Sequence, residues 1–232
     1  MTNLKHMLQG WYVLFYRSRQ AGGKKFRPDR EKLIYPFRLL IHPIEVFNDL
    51  KYENKASFPL TFLLVFLFFA VRLLERVKTA YLFNPDPDEN FSLWAVLAGS
   101  VGIVLLWTVC NWAMCTLTGG EGTVKDIWTA TAYSLMPSIL LGALNILLSA
   151  VFSSDEAIIY STVSVIKVGW TLLLVFLGTL TVHQYTVKKT VAAVIYTLLA
   201  MLALCFLLLL CFSIIQQIQG FASSLYREIL YR

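Results

Sequence analysis

Charged residues are scarce in this sequence of 232 residues. They make up 15% of the chain and hydrophobic residues 57%, whereas about a quarter of an ordinary soluble domain is charged. The mean hydropathy is +0.64, and the apolar residues are gathered in long blocks. Because a membrane-spanning helix takes roughly 20 mostly apolar residues, these blocks leave no room for a sizeable soluble domain.

Motifs of intramembrane enzymes are also missing. The chain has no HExxH and no GxSxG, and no aspartate falls inside an apolar block. Metalloproteases and aspartyl proteases that act within the membrane use such groups as ligands, nucleophiles or paired carboxylates. The sequence therefore favours a protein that is not an enzyme, with no catalytic residues and no cofactor.

Neither cysteine nor histidine forms a cluster along the chain. The cysteines lie in or beside apolar blocks without a CxxC pair, so we expect them to be reduced packing residues. The histidines are far apart and have no second ligand at metal-binding spacing, so no metal site is expected. The residues concerned are Cys110, Cys115, Cys205, Cys211, His6, His42 and His183.

Five apolar blocks define the predicted fold. They predict an all-α, polytopic five-transmembrane-helix bundle, with amphipathic cytoplasmic helices in residues 1–56 before it and a short amphipathic, interfacial helix at 216–232 after it. The predicted spans are about 58–81, 91–115, 127–152, 158–183 and 191–215.

The distribution of basic residues predicts the orientation. Eleven of the twenty Lys and Arg residues lie in residues 1–56, whereas the loop at 84–89 holds three acids and no base. Basic segments stay on the cytoplasmic side. We therefore expect a multi-pass protein of the cell membrane with a cytoplasmic N-terminus and an extracytoplasmic C-terminus.

Three short segments outside the spans have amphipathic helical patterns. The first, at residues 4–15, is predicted to lie on the inner leaflet or to dock on the protein's own cytoplasmic face. The second begins at Pro43 and is predicted to lie under the bundle, and the third is the tail. Their apolar stripes are Leu4, Met7, Leu8, Trp11 and Phe15; Ile44, Phe47 and Leu50; and Ile218, Phe221, Ala222, Leu225 and Ile229.

Ionisable residues inside spans are the first candidate site. The predicted cluster consists of Arg72, Glu75, Arg76 and Lys167. At about 1.5 Å per residue, Glu75 and Lys167 lie roughly 9 and 13 Å below the outer ends of their spans. We predict a Glu75–Lys167 contact, with the two arginines as competitors for the carboxylate. It either fixes helix packing or lines a polar cavity facing the outer leaflet.

A glycine-rich elbow between the second and third spans is the second candidate. Its GGEGT sequence lacks the GK[ST] ending of a phosphate loop. The glycines suit a tight reversal that Thr123 or Asp126 caps, and the alternative is a docking surface for a cytoplasmic partner. The elbow residues are Gly119, Gly120, Glu121, Gly122, Lys125 and Asp126.

Small residues recur at four-residue spacing in the second span, at Ala95, Ala98, Gly99 and Gly102. This spacing lets another helix approach closely, so it predicts a helix-packing face. In the third span Ser138 and Gly142 repeat it, and Pro137 predicts a bend. Asn111 and Asn145 are expected to form interhelical hydrogen bonds rather than to bind a substrate.

Two segments resemble the bacterial branch of the Yip (Ypt-interacting protein) family. They are HPIEVFNDLKYENKAS before the first span and LTGGEGTVKDIWTATAYSLMP around the elbow, and the resemblance covers roughly residues 35–215. Eukaryotic members are five-span proteins that interact with Rab-type GTPases in vesicle trafficking. Bacterial members lack that machinery, and some resemble accessory membrane subunits of ABC transporters. The resemblance defines no catalytic residues.

Two functions follow as hypotheses. The first is a non-enzymatic interaction or accessory protein that assists a membrane transporter or a trafficking-type complex. Its expected partners are the lipid bilayer and other membrane proteins, such as ABC transporter subunits or further copies of the chain, and not nucleic acid. The second is a bundle that itself transports a small solute or lipid along a polar path near Glu75 and Lys167.

Overall fold

The computed structural model describes residues 30–52, 57–78, 92–152 and 156–231, with side chains from residue 34 onward. Residues 34–232 form one compact unit, and residues 1–33 divide off from it. The amphipathic helix predicted at residues 4–15 and the acidic loop at 84–89 therefore lie outside the described residues.

The described residues are almost entirely helical, and the predicted five-span architecture is confirmed. Five of the helices are long and apolar enough to cross a membrane. The helices are α1 (Arg30–Ile41), α2 (Pro43–Tyr52), α3 (Phe58–Lys78), α4 (Leu93–Leu117), α5 (Val124–Val151), α6 (Ala157–Val182) and α7 (Val187–Leu230).

The second amphipathic segment forms α2 as predicted, beginning at Pro43, which suits the first helical position. Its stripe is only partly correct, because Phe47 and Leu50 are buried whereas Ile44 is 42% exposed. α2 packs against α6 and the first half of α5. Phe47 contacts the α6 backbone where Gly178 leaves room for its ring.

α5 is the centre of the bundle and packs against α3, α4 and α6. The helix is interrupted at Leu135, two residues before Pro137, as the proline predicted. Proline lacks the backbone N–H that would continue the ladder. Tyr133 and Ala132, just before the break, are completely buried.

α4 contains a widened turn of π-helix at Ala98–Gly102. The hydroxyl of Ser100 is buried within this turn and donates to the carbonyl of Val96 at 2.6 Å. π-helical turns are rare and often occur at functional positions. The turn falls on the small residues of the predicted packing face.

α7 corrects the prediction of a separate C-terminal helix. It runs without a break over 44 residues, which is about 66 Å, so the boundary expected at residue 216 does not exist. No proline follows Pro137 in the sequence, and proline is the strongest helix breaker. Residues 205–231 are all exposed.

The cysteines divide into two classes. Cys110 and Cys115 on α4 are buried, as packing residues should be, whereas Cys205 and Cys211 on α7 are exposed. The packing prediction is therefore wrong for the second pair, since that part of α7 leaves the bundle.

Candidate functional site

The ion pair predicted inside the membrane is present. The Nζ atom of Lys167 on α6 lies 2.5 Å from Oε1 of Glu75 on α3. The second carboxylate oxygen accepts from Nη1 of Arg72 at 3.1 Å. Lys167 is 8% exposed, whereas the Arg72 side chain is half exposed. Arg76 follows Glu75 on α3 and is partly buried.

Small residues on α5 make room for this ion pair. A Cβ atom at Gly142 would lie 2.6 Å from Val71 Cγ1 and 3.0 Å from Glu75 Oε1. α3 and α5 can therefore approach only because residue 142 is glycine. One turn away, the hydroxyls of Ser138 and Thr171 share a hydrogen bond of 2.8 Å, which joins α5 to α6.

A cavity of about 700 Å³ adjoins the ion pair. All five spanning helices contribute to its wall, which is mostly apolar. Its polar residues include Arg72, Lys167 and the Ser138–Thr171 pair. Its apolar lining includes Phe68, Ile103, Trp107, Leu172, Leu198 and Met201.

The predicted packing face on α4 is not covered by the described helices. A Cβ atom at Gly99 would meet nothing within 4 Å, and one at Gly102 would meet only atoms of its own helix. Ala95 and Ala98 are exposed. The face is therefore open to a helix from another molecule, and Gly99 also borders the cavity.

The elbow reverses the chain with two standard motifs. Gly119 has a φ of +72°, and the N–H groups of Gly120 and Gly119 donate to the carbonyls of Cys115 and Thr116 at 2.7 and 3.4 Å. This is a Schellman motif, which favours glycine at the left-handed position. The prediction of a glycine-dependent reversal is therefore confirmed.

α5 begins with a capping box. The side chain of Thr123 accepts from the backbone N–H of Asp126, whose carboxylate accepts from the N–H of Thr123 at 3.1 Å. Both predicted caps therefore act together. Glu121 and Lys125 are exposed on the elbow, and the Glu121 carboxylate lies 3.8 Å from Nζ of Lys51 on α2.

His183 joins the elbow to the bundle, which the sequence did not reveal. The backbone N–H of Gly122 donates to its Nδ1 at 3.3 Å, so the proton is on Nε2, which donates to Asn111 Oδ1 at 3.1 Å. Asn111 donates in turn to Thr197 on α7 at 3.3 Å. The interhelical bond predicted for Asn111 is thus part of a longer chain.

The environment keeps His183 neutral. The residue is 2% exposed. Burial lowers its pKa from 6.5 to about 4, the nearby charge of Lys51 acts in the same direction, and Asp126 opposes it. A neutral ring is also what the hydrogen bonds require, because Nδ1 must accept.

Gly120 and Gly122 are needed for packing on this histidine as well as for the turn. A Cβ atom at Gly120 would lie 2.5 Å from His183 Nδ1, and one at Gly122 would lie 2.5 Å from Val182 Cγ1. The ring of Tyr185 stacks on His183. This packing role depends on contacts between segments that are distant in sequence. The sequence of the elbow alone therefore could not reveal it.

Asn145 also forms the interhelical bond expected of it, donating to Ser164 on α6 at 2.8 Å. Within the ranges that the structure describes, no three His, Cys, Asp or Glu side chains are grouped as metal ligands. The ion pair and the His183 network are contacts between helices, and the elbow is an exposed surface.

Comparison with known proteins gives one match. A family model described as the Yip1 domain matches residues 37–210, which is well over half of the chain. No curated protein matches, and no solved structure matches.

Proposed function

The chain belongs to the Yip1 domain family, whose members are membrane proteins involved in trafficking, and from this premise we propose that it is a non-enzymatic accessory protein. It assists a membrane transporter or a trafficking-type complex by binding other membrane proteins. The same proposal includes membership of the chain in the bacterial branch of the family, with ABC transporter subunits as its partners. It also includes an orientation in the cell membrane with the N-terminus in the cytoplasm.

The open face on α4 is the observation that supports this function best. Helices in a bilayer associate through close backbone contact at small residues, because apolar side chains gain nothing by leaving lipid. Gly99 and Gly102 offer such a surface, and nothing outside α4 occupies it in the described chain. A partner helix can therefore approach there without displacing any part of the bundle.

The elbow supplies a second surface of a different kind. Its glycines are used internally, but Glu121, Val124 and Lys125 are exposed. A capping box and a Schellman motif hold the backbone in one conformation, so a partner would bind a preformed loop. We assign this surface to a cytoplasmic partner.

Affinity purification from native membranes in mild detergent tests the accessory function. Mass spectrometry should identify stoichiometric transporter or trafficking subunits. Gly102→Leu should release partners that bind the α4 face, because its side chain enters open space without disturbing the bundle. Val109→Phe, also on α4 and exposed, is the control and should retain them. Purification of the chain alone, or only with further copies, contradicts the accessory function.

A second candidate function has its own observation. The cavity of about 700 Å³ next to Lys167 supports a bundle that moves a small solute or lipid. Reconstitution of the purified chain in liposomes tests this directly. Uptake of solute or exchange of labelled lipid between leaflets should exceed that of empty liposomes, and equal rates contradict it.

A further inference from the structure

We propose that the cavity among the spanning helices is a binding site for an anionic phospholipid of the surrounding bilayer. One acyl chain occupies the apolar part, and the phosphate lies against Arg72 at the charged end. The proposal deepens the second candidate function, because it names a ligand for the same cavity. It rests on that candidate only for the position of the binding site. Binding of the lipid does not require that the bundle also moves it across the membrane.

The size and lining of the cavity match an acyl chain. Its volume of about 700 Å³ lies within the range of roughly 300–1,000 Å³ that is typical of ligand sites. Trp107, Leu172, Leu198 and Met201 line it from three helices. The hydroxyls of Ser138 and Thr171 bond to each other, so they require nothing from a ligand.

The charged residues lie together at one end. α3 and α6 run in opposite directions, and Arg72 and Lys167 are the lining residues of these helices that lie farthest from the elbow. Two cations share the single carboxylate of Glu75, which leaves one positive charge in this group of three. An anionic headgroup complements that charge, and a neutral one does not.

Arg72 has the donors that a phosphate needs. A guanidinium presents five N–H groups in a fork that fits phosphate oxygens, and Nη1 is the nitrogen that bonds to Glu75. The side chain is 49% exposed. It lies six residues before the end of α3, about 9 Å along the helix, within reach of a headgroup drawn inward.

The proposed entrance for lipid lies between α4 and α6. Each of these helices packs mainly against α5 or α7. Their lining residues Ile103 and Leu172 are 53% and 63% exposed, which supports an entrance on the side of the bundle. A phospholipid can therefore enter from the bilayer without crossing the packed helices. The small-residue face borders the cavity at Gly99.

Quenching of Trp107 by brominated lipid tests the site. The full chain is placed in nanodiscs of phosphatidylcholine with phosphatidylglycerol, and one of the two lipids has brominated acyl chains. Because the chain has six tryptophans, Trp107→Phe provides the background to subtract. At equal mole fraction, brominated phosphatidylglycerol should quench the Trp107 signal more strongly than brominated phosphatidylcholine.

Two matched pairs of variants identify the contacts. Arg72→Gln should reduce the preference for phosphatidylglycerol about fivefold, the factor for one basic residue near anionic lipid. Lys78→Gln, exposed on the same helix and outside the cavity, should leave it unchanged. Val168→Phe narrows the opening and should reduce quenching, whereas Ile166→Phe, exposed on α6 outside the lining, should not.

Four results overturn the proposal. Equal quenching by the two lipids shows a site without charge selectivity. Equal effects of Arg72→Gln and Lys78→Gln show that Arg72 does not contribute to the lipid site. Equal effects of Val168→Phe and Ile166→Phe show that lipid does not enter at this opening. Absence of quenching at Trp107 shows that something else, such as a helix of a second copy, fills the cavity. Lipid exchange in liposomes measures movement separately, so binding without movement contradicts only the second candidate function.

Discussion

The Nε2 atom of His183 lies 3.1 Å from the Oδ1 atom of Asn111, and this contact ties the end of α6 to the middle of α4. The Asn111 amide continues the connection to Thr197 on α7, while Gly122 donates to the other ring nitrogen. One neutral imidazole and the Asn111 amide therefore join four segments. Protonation of that ring would remove its acceptor and add a charge to a buried site.

His183 should make folding stability depend on pH. Its pKa is 6.5 when unfolded and about 4 when folded, so the unfolded chain binds the proton more readily between these values. Stability is complete above pH 6.5, falls as pH decreases toward 4, and loses roughly 3 kcal/mol in total. Thermal unfolding in detergent at each pH measures this. In His183→Gln the slope should weaken, whereas His42→Gln, at an exposed histidine, should keep it. An unchanged slope in His183→Gln contradicts the prediction.

Glu75→Gln should destabilise the bundle strongly. It leaves Lys167 buried without its charged partner, which costs about 3–5 kcal/mol in buried pairs. Glu75→Gln combined with Lys167→Met should recover much of the loss, since no buried charge remains. Unfolding temperatures of the single and double variants measure the coupling. Glu45→Gln breaks the exposed Arg38–Glu45 contact and should cost less than about 1 kcal/mol. Equal losses in Glu75→Gln and Glu45→Gln would show that the intramembrane pair has no special role.

Gly122→Ala should disrupt the packing of the elbow on α6. The new methyl would lie 2.5 Å from Val182 Cγ1 and 2.8 Å from His183 Cε1, and such overpacking costs about 1–3 kcal/mol. Gly169→Ala on α6 is the matched control, because nothing lies within 4 Å of its Cβ. It should be neutral or stabilise by about 0.5–1 kcal/mol, as alanine does in a helix. The prediction is wrong if both variants unfold at the wild-type temperature.

Thr123→Ala should weaken the start of α5. It removes the hydroxyl that accepts from the Asp126 N–H, at a cost of about 1 kcal/mol. Thr123→Ser keeps the hydroxyl and should retain most of the stability. Thr116→Ala removes a hydroxyl that donates to the Trp112 carbonyl of its own helix and serves as the control. If the alanine and serine variants at residue 123 unfold alike, the cap contributes nothing measurable.

The spans and the ion pair could be predicted because each depends on local pattern and on geometry along a helix. Apolar blocks fix where a chain crosses a bilayer, and the rise per residue placed Glu75 and Lys167 at similar depths. The structure confirms their contact. Counting along the helices could not choose between the two roles of the pair, because it does not show that a largely buried contact lies beside an open cavity.

The His183 network could not be predicted, because the two partners of each of its hydrogen bonds are separated by 61 to 86 residues along the chain. A histidine alone after an apolar block has no local signal that names its partners. The boundary predicted at residue 216, within α7, was wrong for a different reason. An amphipathic pattern has the same period whether a helix begins anew or continues, so the pattern at residues 216–230 does not reveal a boundary.

Among the residues that the structure describes, α7 is buried against the bundle near one end only. Its buried residues are Thr190, Ala193 and Thr197, and Leu230 lies about 50 Å beyond the last of these. Because the helix is held near one end, a tilt of about 5° there would move the far end by about 4 Å. Because Thr197 accepts from Asn111 and Asn111 accepts from His183, a pull on the far end of α7 acts mechanically on the hydrogen bonds that hold the elbow.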